Sequence, residues 1–174
     1  MLKTIPTSSG LLFASFLYRS DKHLPEDLKS LWSSQFGNFN EMVPKQNPLF
    51  TYYEKEMGSP LSRFLLISEN SFPRDSLLQG KLTSMEWEAA HSHEGKRSLN
   101  VDIGFLSPEN FILATTKNYS HRVYLAQDIF ADLTFQFQGG SFKPLPWTYP
   151  DYLDEEKISF LTRERLRLLA RPSA

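Results

Sequence analysis

Residues 98–104 (SLNVDIG) alternate so cleanly that they dictate most of what this chain can fold into. Leu99, Val101 and Ile103 point one way and Asn100 and Asp102 the other, the period of a β-strand with one apolar and one polar face. An apolar strand face needs a covering layer, and two helices are readable upstream. Pro25, Glu26 and Asp27 open the first, Leu28, Leu31, Trp32 and Phe36 form its apolar side, and Gly37 stops it. Residues 73–91 read as the second, with Leu78, Leu82, Met85 and Ala89 as its stripe and Gly80 a defect of about 1 kcal/mol.

The strands complete a pattern. Residues 11–19 (LLFASFLYR) read as a largely buried strand, residues 50–57 (FTYYEKEM) as a loosely alternating one, and residues 63–69 (RFLLISE) as its partner across the Gly58-Ser59-Pro60 turn. The order β-α-β-β-α-β is ferredoxin-like. The expected fold is therefore α+β, one domain over residues 1–174, with a ferredoxin-like βαββαβ core at 11–104 and a C-terminal elaboration at 105–174 packed on it. In the elaboration, Ser107-Pro108-Glu109 is expected to cap a short helix running to Ala114. A β-hairpin turns at Gln127-Asp128, and Gly139-Gly140 leads into Phe142. Residues 144–152 (PLPWTYPDY) form a proline-rich strap without ladder bonding. A terminal helix opens near Asp154 with Ile158, Leu161, Arg165 and Leu168 on one side, and Arg163, Arg165, Arg167 and Arg171 lie near its end, where the dipole favours cations. Residues 1–10 read as a loose tail.

Composition narrows the function classes. Among 174 residues, 40% are apolar and 14% aromatic, enough for a core without covalent staples. The absence of cysteine excludes disulfides, thiolate metal sites and cysteine catalysis, and fits a cytoplasmic setting. The apolar run 11–18 is too short to cross a bilayer, so no membrane role is expected. With 19 basic and 20 acidic residues the chain lacks the basic surplus of a nucleic-acid binder, which makes RNA the weaker alternative. No phosphate loop, dinucleotide fingerprint, zinc-protease helix or nucleophile elbow is present.

Polar residues cluster in four places. Asn100 and Asp102 share the uncovered strand face, either paired with Arg97 or Arg122 or serving a site, because a lone buried carboxylate is costly. Lys117, Asn118, Tyr119, Ser120, His121 and Arg122 put two cations, a histidine, a phenol, an amide and a hydroxyl in six consecutive positions. That set suits a phosphate or carboxylate, with His121 as proton shuttle. Its bland alternative is a solvated connection with one salt bridge. Glu54 and Glu56 would share a strand face and with Asp102 could hold a divalent metal, or else simply keep an edge strand soluble. Trp147 and Tyr149 form either an aromatic wall for a planar ligand or a clamp over the core.

Four segments in order, Tyr52-Tyr53-Glu54-Lys55-Glu56-Met57-Gly58, Asn100-Val101-Asp102-Ile103-Gly104, residues 115–125 and residues 144–152, resemble the bacterial domain-of-unknown-function family numbered 4416. The resemblance spans nearly the whole chain and implies no reaction. Some members are labelled GTP-binding proteins, a label for which this sequence offers no nucleotide loop. The expectation that results is a site for a small phosphorylated or otherwise anionic molecule, with hydrolysis or group transfer if it is an enzyme. Catalytic roles fall to His121 and Asp102, and ligand contacts to Lys117, Arg122, Asn100, Tyr119, Glu54 and Trp147. Metal and cofactor stay unassigned. The rival is a non-enzymatic structural role or docking to a protein, including self-association into a homo-oligomer.

Overall fold

The computed structural model describes residues 9–45 and 50–170; residues 1–8 of the expected tail and Arg171 lie outside them. In chain order the elements are β1 (Ser9–Arg19), α1 (Pro25–Phe36), β2 (Phe39–Met42), α2 (Phe50–Met57), β3 (Leu61–Ser68), β4 (Phe72–Pro73), α3 (Ser76–Ala90), β5 (Ser92–His93), β6 (Lys96–Arg97), β7 (Leu99–Leu106), β8 (Asn110–Thr115), β9 (Arg122–Ala126), β10 (Ile129–Gln138), β11 (Ser141–Pro144), a 3-10 turn at Pro150–Tyr152, and α4 (Glu155–Leu169). The fold is α+β. One antiparallel sheet runs in the order β11-β10-β8-β7-β1-β3-β2, with β9 added to β10 and β4 to β1.

Alternation along β1 and β7 assigns the two faces of this sheet. Leu12, Ala14, Phe16 and Tyr18 join Leu99, Val101, Ile103 and Phe105 on the first face, where Leu28, Trp32 and Phe36 of α1 and Leu77 of α3 cover them. Leu11, Phe13, Leu65, Ile67, Phe111 and Phe135 lie on the second, under Phe160, Leu161 and Leu168 of α4 and Tyr152. At the far end of the second face α2 covers Leu17 and Leu61 with Met57. Asn100 and Asp102 sit on the second face, between the parts that α4 and α2 cover.

Two elements correct the sequence reading. Residues 50–57 are a helix, not the strand expected. Phe50, Tyr53 and Met57 fall at helical spacing and pack on Leu17 and Leu61. Gly58, at φ 80°, ends the helix with its N–H on the Glu54 carbonyl. Apart from β1, the partner of β3 is instead β2, from the stretch read as a loop, pairing Phe39 with Ser68 and Met42 with Leu65.

Residues 107–114 are likewise not a capped helix. The Ser107 hydroxyl bonds Asn110 and accepts the Glu109 and Asn110 N–H groups, so it builds the turn of a hairpin that leads into β8. Serine does the same chemistry at a helix cap and in a turn. The alternation of Phe111 and Leu113 with the more exposed Ile112 then favours a strand.

Other expectations hold. The β9–β10 hairpin turns at Gln127 and Asp128, both at positive φ. Asp154 caps α4 by accepting the Glu156 N–H. The strap is shorter than expected: Pro144 still pairs with Phe135, and the chain then winds into the 3-10 turn. The buried side of α4 is Lys157, Phe160, Leu161, Glu164 and Leu168, rotated from the expected stripe so that Arg165 faces outward to Phe137 and the Pro108 carbonyl.

Candidate functional site

The site begins where two strands part. The ladder between β7 and β8 is only three pairs long and stops at Gly104–Leu113. Gly104 permits that close crossing, since a Cβ there would lie 2.9 Å from the Phe111 ring and 3.0 Å from the Ile112 carbonyl oxygen. Beyond it, β7 runs on to Leu99 with an open edge, and the Glu88 carboxylate of α3 accepts the Val101 N–H at 2.6 Å. Into the gap opens a cavity of ≈ 530 Å³. Its walls come from α3 on the first face (Lys81, Met85, Glu88), from α2 on the second (Tyr52, Tyr53, Glu56), from Asn100 and Asp102 of β7, and from the 149–152 turn. Residues 113–117, Tyr119 and Arg122 close the remaining side. The volume suits a small metabolite.

Most charges around the cavity are spoken for. Arg122 donates to Asp132 Oδ2 at 2.7 Å, to the Lys117 carbonyl at 2.8 Å and to the Tyr149 hydroxyl at 2.8 Å, with the Tyr119 ring over its guanidinium. Arg97 donates to Glu56 and to the Asn100 Oδ1, which turns the Asn100 amide toward Asp102 at 3.5 Å. Arg63, on β3 across β1 from Asn100, is buried with Asp151 in an ion pair of 2.8 Å. Lys157 donates to the Asp151 backbone carbonyl. Burial, with the Arg63 charge second, pulls the Lys157 ammonium down to about 8.

Three charged groups on the walls are not paired. Lys81 is only 8% exposed, yet its ammonium has no hydrogen bond and no ion pair among the described residues. The half-buried Asp102 carboxylate has only the long contact from Asn100. Lys117, exposed at the rim, has no side-chain partner. Deeper in, Asp151 Oδ1 and the Tyr152 hydroxyl are buried without a hydrogen-bond partner, a costly state. Burial first, and the Asp102 charge second, push the Tyr53 and Tyr152 phenols up from their ordinary value. Burial also raises Glu88, against the pull of Lys81, the Val101 N–H and Arg97.

Of the residues expected from sequence, the cavity gathers Asn100, Asp102, Lys117, Tyr119 and Arg122. His121 is placed outside its lining. The imidazole stacks on Trp147 (centroids 4.8 Å apart) and faces Tyr119, with Nε2 3.3 Å from Asp132. Trp147 backs this stack and anchors itself through its indole N–H on the Leu133 carbonyl. Glu54 is exposed on α2 away from the cavity. Glu54 and Glu56, two apart on a helix, diverge instead of sharing a face. Among the described residues, no three acidic or histidine side chains converge as metal ligands.

Sequence reasoning missed Lys81, Glu88 and Asp151. One signal was available for Lys81: it interrupts the apolar stripe of α3, between Leu77 and Leu78 one turn before and Met85 one turn after.

A family model described as "Domain of unknown function (DUF4416)" matches residues 8–167. The chain belongs to this family. The match takes in every segment that lines the cavity. No curated protein and no solved structure matches the chain. No helix among the described residues is long and apolar enough to cross a membrane.

Proposed function

We propose that this protein binds a small phosphorylated or carboxylated molecule in the cavity between β7 and β8. The observation that carries the reading is Lys81, a lysine nine-tenths buried in the cavity wall whose ammonium has no hydrogen bond or ion pair among the described residues. Leaving such a cation unpaired is expensive in a free protein and is offset when an anion arrives. Lys117 adds a second cation from the rim, and Asp102 is the carboxylate free to orient a ligand or to accept a proton from it.

This reading divides the constellation seen in sequence. Lys81, Lys117, Asn100 and Asp102 face the ligand. Arg122, with a hydrogen bond from each of its three guanidinium nitrogens, joins Tyr119, His121 and Trp147 in building the wall that holds residue 117 at the rim. Hydrolysis or transfer at phosphate would then run through Asp102, not His121. The net charge of −1 and the five carboxylates of the lining disfavour a polyanion such as RNA. The spatial order β7-β1-β3-β2, with α1 and α3 on one face, supports a ferredoxin-like core over residues 11–104, and the cysteine-free composition fits a cytoplasmic protein.

A thermal-shift screen against nucleotides, sugar phosphates, polyphosphate and dicarboxylates tests the proposal on the wild type, Lys81→Met and His121→Ala. The expected result is saturable stabilisation that Lys81→Met weakens by roughly 30-fold or more in affinity, as for a lost charged hydrogen bond. His121→Ala should retain binding. Equal binding by wild type and Lys81→Met would remove the basis of the reading.

A further inference from the structure

We propose that the ligand carries a primary amine as well as its anionic group, and that Asp102 receives the amine. This rests on the anion-binding reading above and specifies the ligand further. Three ion pairs cancel on the walls and just behind them: Arg97 with Glu56, Arg122 with Asp132, and Arg63 with Asp151. What remains facing the cavity is of both signs. Among the described residues, the Lys81 and Lys117 ammonium groups have no hydrogen bond or ion pair, and the Asp102 carboxylate has only the long Asn100 contact. Glu88, which shares Arg97 with Glu56 at 3.9 Å and feels the Lys81 charge, adds a further carboxylate on the α3 wall. A ligand with only an anionic end would satisfy the lysines and leave Asp102 as it is. A ligand with an ammonium at its other end satisfies both.

The surroundings of Asp102 suit an ammonium. Tyr52, Tyr53 and Tyr152 line the same cavity as Asp102, and the Asp102 charge helps to raise the Tyr53 and Tyr152 phenols. Arg63 and Lys157 lie over the Tyr53 and Tyr152 rings, so aromatic rings on this side of the cavity already accept cations. An ammonium has three N–H donors and no acceptor, and this end of the cavity holds acceptors in want of donors: the Asp102 carboxylate, Asp151 Oδ1 and the Tyr152 oxygen. Two cations behind Asp102 are held mainly by Asp151, although Arg63 Nε is itself buried without a hydrogen-bond partner. Arg63 Nη1 is held on Asp151 Oδ2, and Lys157 on the Asp151 backbone carbonyl. The chemical class is thus a short molecule with a phosphate or carboxylate at one end and a primary amine at the other.

Matched pairs of probes that differ only in the amine test this by calorimetric titration: phosphoethanolamine against ethyl phosphate, and β-alanine against propionate. In the wild type the amine-bearing member should bind about tenfold tighter or more, that is about 1.4 kcal/mol. Asp102→Asn, checked for folding by its thermal melt, should level the two members of each pair. Lys81→Met should weaken both members together. Pairs that bind alike to the wild type would overturn the amine and leave the anion site standing. A preference that survives in Asp102→Asn would overturn the assignment to Asp102. No binding of any probe would overturn both readings.

Discussion

Lys157 offers the sharpest quantitative test of the buried cluster beneath the cavity. Its side chain is almost fully enclosed, with its ammonium on the Asp151 carbonyl near Arg63. Burial and the Arg63 charge lower it from 10.5 to about 8, against the opposing pull of Asp151, Asp154 and Asp102. A base depressed by folding destabilises the folded state wherever both states are protonated. At about 1.4 kcal/mol per pH unit, the cost at neutral pH is about 3 kcal/mol. As pH rises through 8 the folded chain sheds the proton while the unfolded chain keeps it until about 10.5, so stability climbs across that window. Between about pH 7 and pH 9.5 the gain is about 2 kcal/mol. Urea unfolding of the wild type and Lys157→Met at these two pH values reads it directly. Contributions from other groups are common to both proteins and cancel in the comparison, so the wild type should gain about 2 kcal/mol on the variant. If Lys157→Met folds poorly, a ¹³C titration of the lysine Cε resonances in the wild type gives the same answer through a midpoint near 8. Parallel stability curves, or a Lys157 midpoint near 10.5, would refute the burial argument.

Two further outcomes follow from the same cluster. Arg63→Met leaves the Asp151 carboxylate buried without its ion-pair partner and should cost about 3–5 kcal/mol in urea unfolding. A loss under about 1 kcal/mol would mean that the pair is effectively solvated. Because burial raises Tyr18, Tyr53 and Tyr152, the folded protein should form fewer phenolates at alkaline pH than the urea-unfolded chain, as read by ultraviolet absorbance. This also makes folding stability fall once the pH passes about 10, where the unfolded tyrosines ionise and those three do not. Coincident folded and unfolded titration curves would contradict the enclosure of these phenols.

The local pattern by itself determined β1, α1, α3, β7, the β9–β10 hairpin and the start of α4. In each of them a period, a proline, a cap or a turn pair carries the information within a few residues. The two faces of β7 were legible for the same reason, and with them the position of Asn100 and Asp102 opposite α1 and α3. Residues 50–57 were not legible, because eight residues satisfy a loose period of two and a helical spacing equally well. Only Leu17 and Leu61, distant in sequence, select the helix by taking up Phe50, Tyr53 and Met57. Ser107 was ambiguous because its hydroxyl serves a cap or a turn with the same hydrogen bonds, and pairing of β8 with β10 decides between them. The cavity is tertiary throughout. It exists because the β7–β8 ladder ends at Gly104, which lets Lys81 from one face of the sheet and Asp102 from the other line a single space. Tertiary structure also decided which cations are free. Sequence showed that Arg122 and Lys117 are neighbours, but only the fold shows Arg122 held by Asp132, Tyr149 and a carbonyl while the Lys81 ammonium has no hydrogen bond or ion pair among the described residues. Sequence records which charges a chain carries; whether a charge is satisfied depends on partners brought in from far along it.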